Sequence, residues 1–283
     1  MMRDSCQVGN TRIIEIEGII FKREDENPTG SVKDRGISYQ VEQAKRRGLK
    51  NLVLSSSGNA AISAAYFCRQ AGINLFVFVS PKINKEKLRR VEGSRIRVFQ
   101  SIRPISEAIK FAKKNDFHNL RPSTATDGPI GYQSIAAEIF ENRGKIDSIF
   151  FPVSSGITLI GVANGFRKLG FLPRLHVVQT TVVCPIASKF DKNFVATKSS
   201  LASALVAKFL PKGKEILKLI KESKGWGWVI SDEEINKADI WLTRQGIITS
   251  YEGAAALAGI WKARENGWQI GRAVCLLTGK RYD

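Results

Sequence analysis

The segment Asn27-Pro28-Thr29-Gly30-Ser31-Val32-Lys33-Asp34-Arg35-Gly36 carries the most informative chemistry of the 283-residue chain. A Pro/Gly turn leads into a helix start that places Lys33 in the first turn. The positive end of the helix dipole disfavours a cation there. It favours the neutral amine, the form that condenses with a carbonyl compound to a Schiff base. Position alone favours a solvated lysine beside Asp34 and Arg35. Other chemistries lack their residues. His118 and His176 are far apart in sequence and have no neighbours at metal-ligand spacing. The chain has no GxSxG nucleophile elbow, no GxGxxG after its first strand and no GxxxxGK[ST] loop.

Alternating elements must position these residues. A short extended run at Ile19–Lys22 precedes a helix over Val32–Arg47. Apolar stretches read as strands at Asn51–Leu54, Asn74–Val79, Arg95–Phe99, Ser148–Val153, Leu175–Gln179, Trp226–Ile230 and Ala273–Leu277. Helical patterns separate them at Ala60–Gln70, Asn84–Glu92, Ile105–Lys114, Gln133–Asn142, Thr158–Leu169 and Ala254–Glu265. Ser231 followed by Glu234 forms a capping box that opens a further helix to about Arg244. Strand–helix alternation predicts an α/β fold built on parallel sheets with helices on both faces. Ligands of such sheets bind beyond the carboxyl ends of the strands. That rule selects the turns Ser55–Asn59, Ser154–Thr158 and Thr278–Gly279.

Composition bounds the rest. Hydrophobic residues make up 43% and charged residues 25%, ordinary values that exclude disorder and collagen-like repeats. No uncharged apolar stretch is long enough to span a membrane, and the N-terminus has no apolar signal-peptide core. The four cysteines show no CxxC spacing, which leads us to expect a reduced, cytoplasmic chain without metal. The formal net charge is +18, with basic peaks at Lys82–Arg90 and Lys208–Lys224. No basic run is interleaved with aromatic residues, which argues against nucleic acid; a solvated basic surface and an attraction for anionic small substrates are both compatible with the charge.

The lysine segment resembles the NPTGSFKDRG motif of threonine synthase, and Val32 matches the SVKDR variant of cysteine synthase. Further likenesses are collinear with it. Gly9-Asn10-Thr11 resembles a GNTP opening, and Ser56-Ser57-Gly58-Asn59-Ala60 an SSGNT loop. Gln179-Thr180, Ser231–Glu234, Glu252–Gly259 and Leu277-Thr278-Gly279 resemble the VQT, SDEE, EGAAALAG and LTG segments. On these motifs the chain is identified as a member of the pyridoxal-phosphate-dependent tryptophan synthase β-like (fold type II) family. The resemblance implies two three-layer αβα domains with the cofactor in the cleft between them. The large domain is expected over 1–34 and 125–283, and a small mobile domain over 35–124. Homodimers are usual in the family.

The resemblance also implies roles. Lys33 is expected to hold pyridoxal phosphate as a Schiff base and then to move the substrate's α-proton. Asn59 is expected at the cofactor's 3′ oxygen, and Ser55, Ser56, Ser57 and Gly58 at the substrate carboxylate. Ser154, Ser155, Gly156, Ile157 and Thr158 occupy the place of the family's glycine-rich phosphate loop. Ile157 stands where glycine is usual, so either the loop strains a β-branched residue at positive φ or it adopts negative φ there. Thr278 is expected to donate to the pyridine nitrogen, which suits elimination and replacement at Cβ or Cγ. The implied activity is a lyase or replacement reaction on a small amino acid, most like threonine synthase acting on O-phosphohomoserine. The lysine of that enzyme's EGQKT stretch is lost at Gly131-Tyr132-Gln133-Ser134. The segment Lys280-Arg281-Tyr282-Asp283 replaces the family's GLKD-like ending and is similar to the GERY of cysteine synthase. A sulfhydrylase acting on O-acetylserine or O-phosphoserine, and a non-catalytic relative, are the alternatives.

Overall fold

A computed structural model of the chain describes residues 7–120 and 127–282. Its elements begin with strands β1 (Ile13–Ile16) and β2 (Ile19–Arg23), helix α1 (Lys33–Arg46), β3 (Asn51–Ser55), α2 (Asn59–Ala71) and β4 (Asn74–Val79). Then come α3 (Lys85–Val91), β5 (Ile96–Gln100), α4 (Pro104–Asn115), β6 (His118–Asn119), α5 (Gln133–Arg143), β7 (Ser148–Pro152) and α6 (Ile157–Lys168). The chain continues through β8 (Arg174–Thr180), α7 (Gly213–Glu222), β9 (Trp226–Ile230), α8 (Asp232–Arg244), α9 (Tyr251–Glu265) and β10 (Ala273–Leu277).

Two compact units form. The first contains Asn27–Gly131 and Tyr282, the second Gly9–Glu26 and Tyr132–Arg281. The first division therefore falls before the lysine segment. A boundary at 34–35 would cut α1 after two residues, whereas the Asp34 carboxylate binds the preceding loop to that helix. It accepts the Thr29 N–H at 2.6 Å and the Thr29 hydroxyl at 2.5 Å. The expected boundary at 124–125 lies outside the described residues.

The first unit is built on a parallel sheet in the order β5-β4-β3-β6. Alternation along its strands sorts the side chains. Leu52, Leu54, Leu75, Val77 and Val79 join Ile37, Val41 and Ala44 of α1 and the alanine-rich face of α2 in one core. Val53, Phe76 and Phe78 pack on the other side with Ala108 and Ala112 of α4. Helices thus cover both faces, and the apolar runs reflect burial on both.

The second unit holds a six-stranded sheet in the order β1-β2-β10-β7-β8-β9. All its pairings are parallel except the β1–β2 hairpin. Phe21, Phe150, Val178, Trp228 and Cys275 bury one face against α8 and α9. On the other side α5 packs on α6 and α6 on α7. The fully buried Lys22 donates to the Thr11 carbonyl at 2.8 Å and to Glu138 of α5 at 2.5 Å. The Thr11 hydroxyl donates to Glu24 at 2.8 Å. The Gly9-Asn10-Thr11 motif is therefore fastened to the sheet and to α5 by a paired internal charge, the only form in which a buried ammonium is tolerated cheaply.

Helices α5 and α6 meet at Gly165. A Cβ there would stand 2.5 Å from the Gln133 carbonyl oxygen and 2.8 Å from the Ala136 Cβ. On helix propensity alone, alanine for glycine gains about 1 kcal/mol. Overpacking against backbone costs about 1–3 kcal/mol and offsets that gain. Gly165→Ala is therefore expected to lower stability in chemical denaturation. A more stable variant would show that the helices separate without cost.

Candidate active site

Lys33 is the first residue of α1. The turn before it closes through Gly30 N–H donating to the Asn27 carbonyl at 2.7 Å, with Gly30 at φ +85°. Asp34 adds an anion to the first helical turn, where the dipole stabilises it. The Lys33 side-chain amine makes no hydrogen bond or ion pair among the described residues. Burial lowers its pKa from the ordinary 10.5 to about 8. Desolvation thus raises the fraction of neutral amine, in the same direction as the helix dipole.

The Ser55–Gly58 turn follows β3 in the same unit. Ser56 N–H donates to the Phe78 carbonyl at 3.2 Å, and the Ser57 hydroxyl accepts from Ser80 N–H at 2.7 Å. The Ser56 hydroxyl accepts from Gly58 N–H at 3.2 Å. These bonds use two of the hydroxyls to hold the loop, so its anion-binding capacity lies in the helix behind it. No side chain caps α2. The Asn59 and Ala60 N–H groups have no acceptor among the described residues, as expected for a helix start left open to an anion. The Asn59 Oδ1 is buried without a hydrogen-bond partner. An orphaned acceptor of this kind costs about 1–3 kcal/mol unless a ligand supplies a donor.

In the second unit, the turns after β7 and β10 follow neighbouring strands. The register pairs Cys275 with Phe150, so Thr278 stands level with Val153 at the carboxyl edge. The Thr278 and Ser154–Ser155 hydroxyls have no partner among the described residues. Gly156 caps α6 at φ +80°, and no side chain caps that helix either. Ile157 is the first residue of α6, does not have positive φ, and is 1% exposed. Of the two conformations open to it, the loop adopts negative φ, and Gly156 carries the left-handed turn instead. The positive φ favours glycine there, and a Cβ would also stand 2.1 Å from the Ile216 Cδ1, so that side chain would have to shift. The N–H groups of Ile157, Thr158 and Leu159 remain without acceptors among the described residues.

Gln179 and Asp34 stand in the motifs noted above, but sequence patterns did not reveal that they hold these turns. Gln179 Nε2 donates to the Val153 carbonyl at 3.1 Å, and its Oε1 accepts from Ile186 and Ala187 N–H. A glutamine buried inside the apolar strand Leu175–Gln179 was the available signal. Asp34 does the same for the lysine loop. His176 carries no site chemistry. It stacks on Phe150, accepts from Trp228 Nε1 at 3.1 Å, and burial pulls its pKa down to about 3.

Within the first unit, an unpartnered Lys33 amine of lowered pKa suits a carbonyl compound and the open start of α2 an anion; within the second, the open start of α6 suits a phosphate. A family model described as pyridoxal-phosphate dependent enzyme matches residues 5–279. The chain belongs to this family. Pyridoxal phosphate is accordingly its cofactor. This pyridoxal-phosphate enzyme is 27% identical over 288 residues to threonine synthase of Mycobacterium bovis, covering 97% of the chain and 78% of the relative. It is 28% identical to L-serine dehydratase/L-threonine deaminase of Mus musculus, covering 86% and 77%. Its fold matches the crystal structure of O-acetylserine-dependent cystathionine beta-synthase from Helicobacter pylori with a TM-score of 0.84 at 19% identity, over 99% of the chain and 96% of that structure. No described helix is long and apolar enough to cross a membrane.

Two predictions follow from this geometry. Ile157→Gly relieves no strain. It removes a buried side chain from a helix start, and stability should fall by about 2–5 kcal/mol. Ile157→Val should cost only about 0.5–1.5 kcal/mol. Denaturant titration of both variants checks this. For Lys33, the folded pKa lies near 8 and the unfolded one near 10.5. Between those values the unfolded chain binds more protons, so stability rises with pH. The stability of the cofactor-free protein relative to Lys33→Met should therefore climb between pH 8 and 10.5 and stay level below that window.

Proposed function

We propose that this pyridoxal-phosphate enzyme catalyses elimination or replacement on a small amino acid, with a threonine synthase-like reaction that converts O-phosphohomoserine to threonine and phosphate. The observation that carries the reading is the unpaired Lys33 amine at the start of α1, brought to about 8 by burial. The cofactor supplies a carbonyl for covalent attachment and an electron sink for the carbanion at the substrate's Cα. Lys33 provides the attaching amine and, once released, the base and then the acid at Cα. The open N–H groups of α2 bind the substrate carboxylate, and the Asn59 amide contacts the cofactor ring oxygen. The α6 start, with the Ser154, Ser155 and Thr158 hydroxyls, takes the cofactor phosphate. The Thr278 hydroxyl donates to the ring nitrogen without charging it, which favours elimination over transamination.

Support for the threonine synthase reaction comes from the lysine segment, the late Glu252–Gly259 helix and the identities above. Val32 favours a second reading, a sulfhydrylase acting on O-acetylserine or O-phosphoserine. A substrate panel scored for phosphate, acetate and sulfide turnover separates the two. Lys33→Ala should abolish both turnover and the borohydride-trapped cofactor adduct, because nucleophile and proton carrier vanish together. A Lys33→Ala protein that turns over at the parent rate sinks the assignment. A parent protein that binds no cofactor points to the non-catalytic relative.

A further inference from the structure

Tyr282 lies in a segment to which the reaction assigns no role, yet it reaches the lysine loop. Its hydroxyl donates to the Thr29 carbonyl at 3.0 Å. Its ring packs against the apolar core of the first unit. From α3, the Arg90 guanidinium lies 5.0 Å and the Lys87 ammonium 5.3 Å from the ring centroid. These cations over the ring face hold it in place independently of the hydroxyl. Burial raises the hydroxyl pKa to about 12, so it stays protonated and remains a donor.

Thr29 is thereby fixed at all three polar groups. Its N–H and hydroxyl go to Asp34, and its carbonyl takes the Tyr282 proton. Asp34 lies inside α1 and holds the loop from the helix side. Tyr282, which is 253 positions away in sequence, holds it from outside. Three residues separate Thr29 from Lys33, and the turn between them includes Gly30 at positive φ. Such a turn has little stiffness of its own.

We propose that Tyr282 is a positioning residue for Lys33, acting through the Thr29 carbonyl to keep the loop closed and the amine out of water. This rests on the reading of Lys33 as the cofactor-linking residue. Loss of the bond lets the Asn27–Ser31 turn open and hydrates the amine, which moves Lys33 toward the behaviour of a surface lysine.

The test uses the full, cofactor-free chain and compares the parent with Tyr282→Phe and Tyr282→Leu. Phenylalanine keeps the ring and its cation contacts and deletes only the hydrogen bond. Two quantities are read: amide deuterium exchange across Gly30–Asp34, and trace acetylation of Lys33 by acetic anhydride at pH 8, with exposed Lys237 as internal reference. In Tyr282→Phe, exchange should quicken about fivefold, the change expected from a hydrogen bond of average strength. Lys33 acetylation should fall severalfold relative to Lys237, because a rehydrated amine is mostly protonated at that pH. Tyr282→Leu should show both effects more strongly. Unchanged exchange and labelling in Tyr282→Phe would overturn the proposal. So would a general rise in exchange, with a lowered melting temperature and unaltered Lys33 labelling, since that marks a purely structural residue. A borohydride-trapped adduct found elsewhere than on Lys33 in the parent would overturn the reading of Lys33 alone, and would leave the exchange result to judge the loop clamp.

Discussion

Desolvation costs an ammonium far more than a neutral amine, and the site depends on Lys33 being placed where that difference acts. Its pKa near 8 has burial as its cause. A neighbouring carboxylate would have pulled the value back up. The one carboxylate adjacent in sequence, Asp34, is turned away and engaged with both Thr29 donors. The same interaction therefore shapes the loop and withholds a counterion from the amine.

The remaining polar capacity follows a shared logic. Helices α2 and α6 both start without a side-chain cap, and their first N–H groups have no acceptors among the described residues. Serine hydroxyls cap α8 and α9, where Ser231 and Ser250 accept from Glu234 and Gly253. Helices α4, α5 and α7 also start without a side-chain cap, so a missing cap by itself marks no site; position in the fold does. The starts of α2 and α6 follow the carboxyl ends of parallel strands, where sheet geometry leaves room for a ligand.

Period-two alternation and strand–helix succession made most of the architecture readable, because buried parallel strands have to be apolar on both faces. The capping box of α8 was legible residue by residue. What escaped had weak local signals. Strand β1 is only half-buried, so its apolar residues carry no strong pattern. Helix α7 was masked by its lysines, although Ile216, Leu219 and Ile220 form its buried stripe. Strand β6 has two residues. In the site, residue types pointed to Lys33, Asn59 and the α6 turn, but not to the conformation of Ile157. The neighbour decided that: Gly156 already supplies the positive φ, so the isoleucine could join the helix and the core. The supporting contacts of Gln179 and Tyr282 span long sequence separations that no local pattern encodes.

The order of strands in the second unit bears on how the molecule is made. Strand β10, residues 273–277, lies between β2, residues 19–23, and β7, residues 148–152. On the ribosome, β2 and β7 emerge long before the strand that joins them. Until residue 277 leaves the exit tunnel, both present unpaired backbone edges flanked by side chains that end up fully buried. The four strands of the first unit all lie between residues 51 and 119 and can pair much earlier. Nascent chains stalled between these two points would hold a finished small sheet beside an open, adhesive large one, the species that chaperones intercept.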